Sequence, residues 1–203
     1  PETVSNPQNP YGMSKISQEM FALALGKRYN IPTVAMRYSI VQGSRQSFYN
    51  AYSGACRIFS LAFHQGKEPP IYEDGNQVRD FVNIHDVVDA NVLVLEDDRA
   101  NYEMFNVGGG IPVTVKQFAE VVAKAYGYND YVPRACGKYR FGDTRHIFSD
   151  ISKLKALGWK PKRTIEDSVL EYKEWLDTAD CVDDIIEYCS KKMQELNVVR
   201  SVE

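Results

Sequence analysis

The sequence predicts an α/β chain organised around a parallel sheet, and three observations predict it. A near-continuous apolar and β-branched run, residues 33–41, has the composition of a strand covered on both faces, as parallel strands are. Segments with apolar residues at helical spacing precede and follow it. Strand and helix signals then alternate along the chain, with no internal repeat and no low-complexity stretch.

The first helix is predicted over residues 10–29. Asn9 is a strong N-cap, Pro10 is tolerated where its missing N–H has no helical partner, and Asn30 before Ile31-Pro32 ends the segment. Ile16, Met20, Phe21, Leu23 and Ala24 supply its apolar face. After the 33–41 strand, Gln42-Gly43-Ser44 forms a turn, residues 49–65 a second helix ended by Gly66, and residues 69–72 a short strand before the turn Asp74-Gly75-Asn76. Residues 79–84 alternate like a strand ahead of a helix over 86–95, and residues 105–107 form another strand broken by Gly108-Gly109-Gly110. Thr114 caps a helix through Tyr126, with Gln117 at the capping-box position. Residues 133–143 read as a basic and aromatic loop, 151–157 as helix, 158–161 as a turn, and 165–196 as two amphipathic helices.

Composition narrows the function. The 203 residues are 44% hydrophobic and 25% charged, enough for a sizeable core without disulfides or metal. A net charge of −3 without a strong basic block predicts no bulk nucleic-acid or membrane-surface binding, so any anion site must be local. No apolar run approaches the roughly 20 residues of a membrane-spanning helix. Cys56, Cys136, Cys181 and Cys189 contain no CxxC pair and no grouping with His64, His85 or His146, which predicts no metal site and reduced thiols in a cytoplasmic protein. Pro1 rather than Met opens the chain, the mark expected of a fragment.

Tyr11 and Lys15 lie one helical turn apart on a shared face. A neighbouring ammonium and the positive end of the helix both favour phenolate, which makes Tyr11 a candidate acid/base. The alternative is a ring packed beside an exposed lysine. No GxGxxG follows any strand, so the usual dinucleotide pyrophosphate loop is absent from these residues. The triple glycine lacks the spacing of a phosphate loop and reads as turn punctuation. His85 and His146 read as polar packing or helix-start residues.

Context adds to the Tyr-x3-Lys pair. Asn9-Pro10-Tyr11-Gly12-Met13-Ser14-Lys15 is followed by Arg37-Tyr38-Ser39-Ile40-Val41-Gln42-Gly43-Ser44-Arg45-Gln46, then by Asp74-Gly75-Asn76-Gln77-Val78-Arg79-Asp80-Phe81. Phe105-Asn106-Val107-Gly108, Arg140-Phe141-Gly142-Asp143, Asp150-Ile151-Ser152-Lys153 and Leu157-Gly158-Trp159 continue the series. In these motifs, from about residue 7 to 176, the sequence resembles the extended short-chain dehydrogenase/reductase family. More narrowly, it resembles the C-terminal part of the NAD-dependent nucleotide-sugar epimerases and dehydratases.

That resemblance implies a partial Rossmann-like parallel sheet plus a small mixed α/β substrate-binding lobe. Residues 1–48 would be the remnant of the dinucleotide-binding domain and 49–203 mainly the substrate lobe, with 79–110 partly returning to the dinucleotide-binding sheet. It implies that Tyr11 transfers a proton at the reacting sugar hydroxyl. Lys15 would hold the nicotinamide ribose, and Ser39 would approach the nicotinamide. It further implies that Arg79 and Arg140 contact the diphosphate, that Asp143 lies on the nucleotide side, and that Tyr72 lines the base. A guanidinium fork suits phosphate; the alternative for Arg79 is a surface pair with Asp80 or Asp86.

The implied cofactor is NAD, with NADP also open, and the implied partner a nucleotide-diphosphate sugar. A homodimer through the helix after Tyr11, with Met20, Phe21 and Leu25 facing the partner, is implied too. Two positions depart from the pattern: Ile40 replaces an asparagine and Ser44 a proline. The glycine-rich loop, the acidic residue for the adenosine ribose and the Ser or Thr partner of the tyrosine fall outside the 203 residues, so the fragment alone is expected to be inactive. The reading is a fragment of a nucleotide-sugar 4-epimerase. Its alternatives are a 4,6-dehydratase, a non-catalytic nucleotide-sugar-binding relative, and a reductase of non-nucleotide carbonyls.

Overall fold

In the computed structural model, the structure describes residues 7, 9–48, 54–179 and 185–201. The first helix, α1, spans Pro10–Tyr29. The Asn9 side chain accepts from the Gly12 amide at 2.8 Å, and Asn30 closes the helix in the left-handed conformation at φ 57°. Both ends are therefore set by local chemistry. The expected apolar face is only partly covered: Ile16 and Leu23 are half-buried, whereas Met20 and Phe21 are 66% and 68% exposed.

The single strand expected over 33–41 is instead two, β1 (Ala35–Tyr38) and β2 (Ile40–Gln42), broken at Ser39. Neither is fully covered, and Tyr38 is 48% exposed. The break has a tertiary cause. Ser39 donates its amide to the Val107 carbonyl, but its hydroxyl bonds Asp80 and Ser149, and the chain turns there from one sheet to another. β1 pairs in parallel with β4 (Met104–Val107), while β2 pairs in parallel with β3 (Val78–Asn83) in the register Ile40–Phe81. β5 (Pro112–Thr114), a strand not expected from sequence, adds to β3 in antiparallel sense.

The remaining helices fall where capping chemistry puts them. α2 covers Ala55–His64; the expected start at 49–53 lies outside the described residues. α3 covers Ile84–Glu96, two residues earlier than expected, because the Asn83 side chain caps it by accepting from the His85 amide. α4, Val115–Ala125, begins with the Thr114–Gln117 capping box, and α6, Ile165–Asp177, with an equivalent Thr164–Asp167 box. α5 is the short Ser152–Lys155 turn of helix, and α7 spans Ile185–Glu195.

Two other expectations are corrected. Residues 69–72 form no strand, only an isolated bridge between Ile71 and Ala135. The loop expected over 133–143 contains β6, Lys138–Arg140, paired antiparallel with β7, Val199–Ser201. Two apolar clusters flank β3, whose alternation feeds both. Phe81 packs with Phe59, Phe118 and Tyr172 beneath α2, α4 and α6, and Val82 with Val87, Phe105, Leu154 and Trp159. Burying each such side chain contributes about 1.5–3 kcal/mol.

Candidate active site

Two concavities carry the chemistry-bearing side chains. The first is a groove of 780 Å³ between α1 and β1, lined by Tyr11, Lys15, Glu19, Arg37 and Ser39. Helical spacing sets the Lys15 ammonium 5.5 Å from the Tyr11 ring centroid, within cation–π range, with Gln18 Oε1 accepting from Nζ at 3.3 Å. Tyr11 is 68% exposed, so its phenol is open to a ligand.

Glu19 clamps the groove wall. Its carboxylate accepts from Arg37 Nε at 2.7 Å and Nη2 at 2.6 Å, a bidentate pair tying α1 to β1. These bonds hold the Glu19 carboxyl below its ordinary range and raise Arg37.

At the groove's other side, Ser39 Oγ lies 2.6 Å from Ser149 Oγ and donates to Asp80 Oδ2 at 3.0 Å. Asp80 is fully buried, and the sequence offers it only as a pairing partner for Arg79. It instead accepts from the Gly109 and Gly110 amides at 2.9 and 3.1 Å through Oδ1. The triple glycine is therefore more than turn punctuation. Consecutive backbone amides cradle an anion, and the anion is the protein's own carboxylate. Burial pushes the Asp80 carboxyl up, against the lowering pull of Ser39 and the glycine amides. The signal available in the sequence was three glycines together, where a Cβ on Gly108 would strike Asp80 and one on Gly109 the Phe81 carbonyl.

The second concavity, 280 Å³, brings together Tyr72, Arg79, Arg140 and Asp143, with Phe59, Phe81 and Ile147 among its apolar walls. β3 carries Arg79 and β6, in a separate sheet, carries Arg140, yet the fold makes these residues, 61 positions apart, neighbours of one cavity. Arg79 does not pair with Asp80 or Asp86. Its Nη2 donates to Asp143 Oδ2 at 3.1 Å, and its Nη1 to the carbonyls of Arg145 and Val78 at 2.7 and 3.0 Å. Asp86 belongs to Arg163, whose Nη1 is 2.7 Å away. Burial pushes the Tyr72 phenol up, and the Arg140 cation opposes this.

Ile40, one of the two departures, forms part of the apolar wall of this cavity. Ser44, the other, donates its amide and hydroxyl to Glu171 Oε1 at 3.3 and 3.0 Å, the first of which a proline has no N–H to make. His85 also reaches Glu171, at 3.2 Å, and His146 Nδ1 accepts from the Val78 amide, so both histidines act as polar packing. Among the described residues no group of three His, Cys, Asp or Glu could hold a metal ion. No helix among them is long and apolar enough to cross a membrane.

The parallel strands, the helices packed on them and the Tyr11–Lys15 groove define a Rossmann-like α/β chain. It belongs to the NAD dependent epimerase/dehydratase family, whose model matches residues 1–108. The dTDP-L-rhamnose 4-epimerase of Burkholderia thailandensis is 35% identical over 175 residues, 86% of this chain and 48% of that protein. Among solved structures, the UDP-glucose 4-epimerase of Thermotoga maritima with UDP-glucose superposes at a TM-score of 0.75 with 32% identity, covering 87% of this chain and 59% of that one. The dTDP-glucose 4,6-dehydratase of Bacillus anthracis, in complex with NAD, superposes at 0.76 with 29% identity, covering 88% and 55%. The chain spans about half the length of the curated relatives it matches.

Proposed function

We propose that this chain carries the catalytic tyrosine helix and the substrate-binding half of an NAD-dependent nucleotide-sugar 4-epimerase. The observation that carries the reading is the convergence of Arg79 and Arg140, with Tyr72, on one cavity sized for part of a ligand. Two guanidinium groups suit a diphosphate, which needs more than one charge-assisted contact when it leaves water. A reductase of non-nucleotide carbonyls would leave both arginines without phosphate partners.

The groove side fits the ribose and nicotinamide end of NAD. A lysine ammonium and an exposed phenol share one wall, and a part-buried hydrogen-bond network around Asp80 fixes Ser39 on the other. Lys15 would donate to the ribose hydroxyls, and Ser39 would border the nicotinamide. NAD, when bound, supplies the hydride acceptor and donor at the sugar C4. Tyr11 then takes the C4 hydroxyl proton and returns it to the other epimer, held in place by the first turn of α1. Arg79 and Arg140 anchor the diphosphate so that the sugar can present either face to the same tyrosine. In this reading residues 1–48 serve the cofactor and 49–203 mainly the substrate, with 79–110 shared between them.

The similarity to the Bacillus anthracis dehydratase supports 4,6-dehydration as the second reading, at an identity and TM-score close to those of the epimerases. We also infer a homodimer through α1, supported by the exposure of Met20, Phe21 and Leu25, and a cytoplasmic location consistent with free thiols at Cys56, Cys136 and Cys189.

The test is product analysis with the complete gene product, NAD, and a panel of UDP- and dTDP-hexoses. Interconversion at C4 that Tyr11→Phe lowers by about 10²-fold or more, with sugar-nucleotide binding retained, supports epimerisation. Accumulation of a 4-keto-6-deoxy product supports the dehydratase, and wild-type turnover by Tyr11→Phe excludes Tyr11 as the proton carrier.

A further inference from the structure

We propose that Asp80 is a positioning residue that fixes the polarity of the Ser39 hydroxyl, so that Ser39 meets a groove ligand as a hydrogen-bond acceptor and selects a cofactor ring bearing an amide N–H. The inference rests on the reading of the groove as the nicotinamide end of an NAD site. It concerns a residue behind the groove wall, since Ser39 lines the groove and Asp80 does not.

The polarity starts at the glycines. Oδ1 of Asp80 accepts the amides of Gly109 and Gly110, groups that can donate and never accept, and such bonds favour the ionised carboxylate. A carboxylate has no proton to give. The Ser39 hydroxyl, 3.0 Å from Oδ2, therefore turns its own proton to Asp80; turned elsewhere, lone pairs would face each other across that distance.

A serine hydroxyl has one proton and two lone pairs. With the proton on Asp80, the 2.6 Å contact between Ser39 Oγ and Ser149 Oγ is made with the Ser149 proton, and Ser39 accepts. One lone pair is left. Gly108 backs the bond to Asp80 so closely that a Cβ there would strike Asp80 Oδ2 and Ser39 Oγ, and the Ser39 amide is taken by the Val107 carbonyl at 2.8 Å. What half-buried Ser39 offers the groove is thus an acceptor.

A carboxamide carries a carbonyl oxygen and an NH2 group, and the NH2 is the part that suits this oxygen. A ring bearing a ketone in its place would leave the lone pair unpaired, at the cost of a lost hydrogen bond.

The test is calorimetric titration of the nucleotide-free complete gene product with NAD and two analogues altered at the ring substituent. The 3-acetylpyridine analogue keeps the carbonyl and loses the NH2; the thionicotinamide analogue keeps the NH2 and exchanges the carbonyl oxygen for sulfur. The expected result is that the acetylpyridine analogue binds about tenfold more weakly than NAD, while the thionicotinamide analogue binds close to NAD. Ser39→Ala should abolish that gap. Asp80→Asn should narrow it, because the asparagine NH2 can donate to Ser39 Oγ and free the Ser39 proton. Equal binding of all three by the wild type, the opposite order, or a gap that survives Ser39→Ala overturns the acceptor assignment, whether or not Asp80→Asn folds. A gap unchanged in folded Asp80→Asn overturns Asp80 as its source. Wild-type protein that binds neither NAD nor either analogue overturns the reading of the groove beneath it.

Discussion

Oδ1 of Asp80 accepts the amide of Gly109 at 2.9 Å across 29 positions of sequence, and that bond joins the middle of β3 to the loop after β4. With Ser39 on the other carboxylate oxygen, Asp80 ties together the two sheets at the place where the chain passes from one to the other. Ser39 lines the groove and Arg79, the neighbour of Asp80, lines the arginine cavity, so this junction lies between the two.

Gly109→Ala should therefore be strongly destabilising. A Cβ there meets the Phe81 carbonyl, which is strand backbone and cannot rotate away. Denaturant melts should show a loss of at least about 2 kcal/mol, near the upper end for single substitutions. Gly127→Ala, at a turn with open space around the added Cβ but a φ of 85°, should cost about 1–2 kcal/mol from backbone strain alone.

The Glu19–Arg37 pair gives stability a pH dependence. Because the folded protein holds the Glu19 carboxyl below its unfolded value of about 4.3, the ionised form is favoured in the fold. The contribution is fully present above that value and is lost as pH falls through the lower folded one. Glu19→Gln should cost about 1 kcal/mol at neutral pH, and the gap to wild type should close in acid. Melts at several pH values check this; a gap that stays constant with pH assigns the loss to packing instead.

Thiol reactivity should be ordered by burial. Cys136 is exposed, while Cys56 and Cys189 are 1% and 3% exposed, and burial pushes the Cys56 thiol up to about 12. Alkylation of the native protein followed by peptide mapping should label Cys136 first and reach Cys56 and Cys189 only on unfolding. Equal labelling of Cys56 and Cys136 in native buffer would contradict the packing of α2.

How far the sequence discloses this arrangement depends on whether the signal is local. α1 and α4 are readable to within a residue because Asn9, Pro10 and Asn30, and Thr114 with Gln117, act within one turn of the helix ends. β6 is not readable, since its partner β7 lies about 60 residues on and its own composition, Lys138-Tyr139-Arg140, has no strand pattern. The break at Ser39 is equally hidden, being imposed by Asp80 and Ser149 from elsewhere in the chain. Tyr11 and Lys15 are legible as a pair from helical spacing. Arg79 and Arg140 become a pair only through the motif resemblance and the tertiary fold, and the hold of Asp143 on Arg79 has no counterpart in spacing at all.

The central claim is that Arg79 and Arg140 bind the diphosphate of a sugar nucleotide, and calorimetric titration of UDP into the complete gene product tests it most directly. Arg79→Ala and Arg140→Ala should each raise the UDP dissociation constant by about tenfold or more, the scale of a lost charged hydrogen bond, while NAD affinity stays near wild type. UDP affinity unchanged in both variants would contradict the claim and remove the physical support for a nucleotide-sugar substrate.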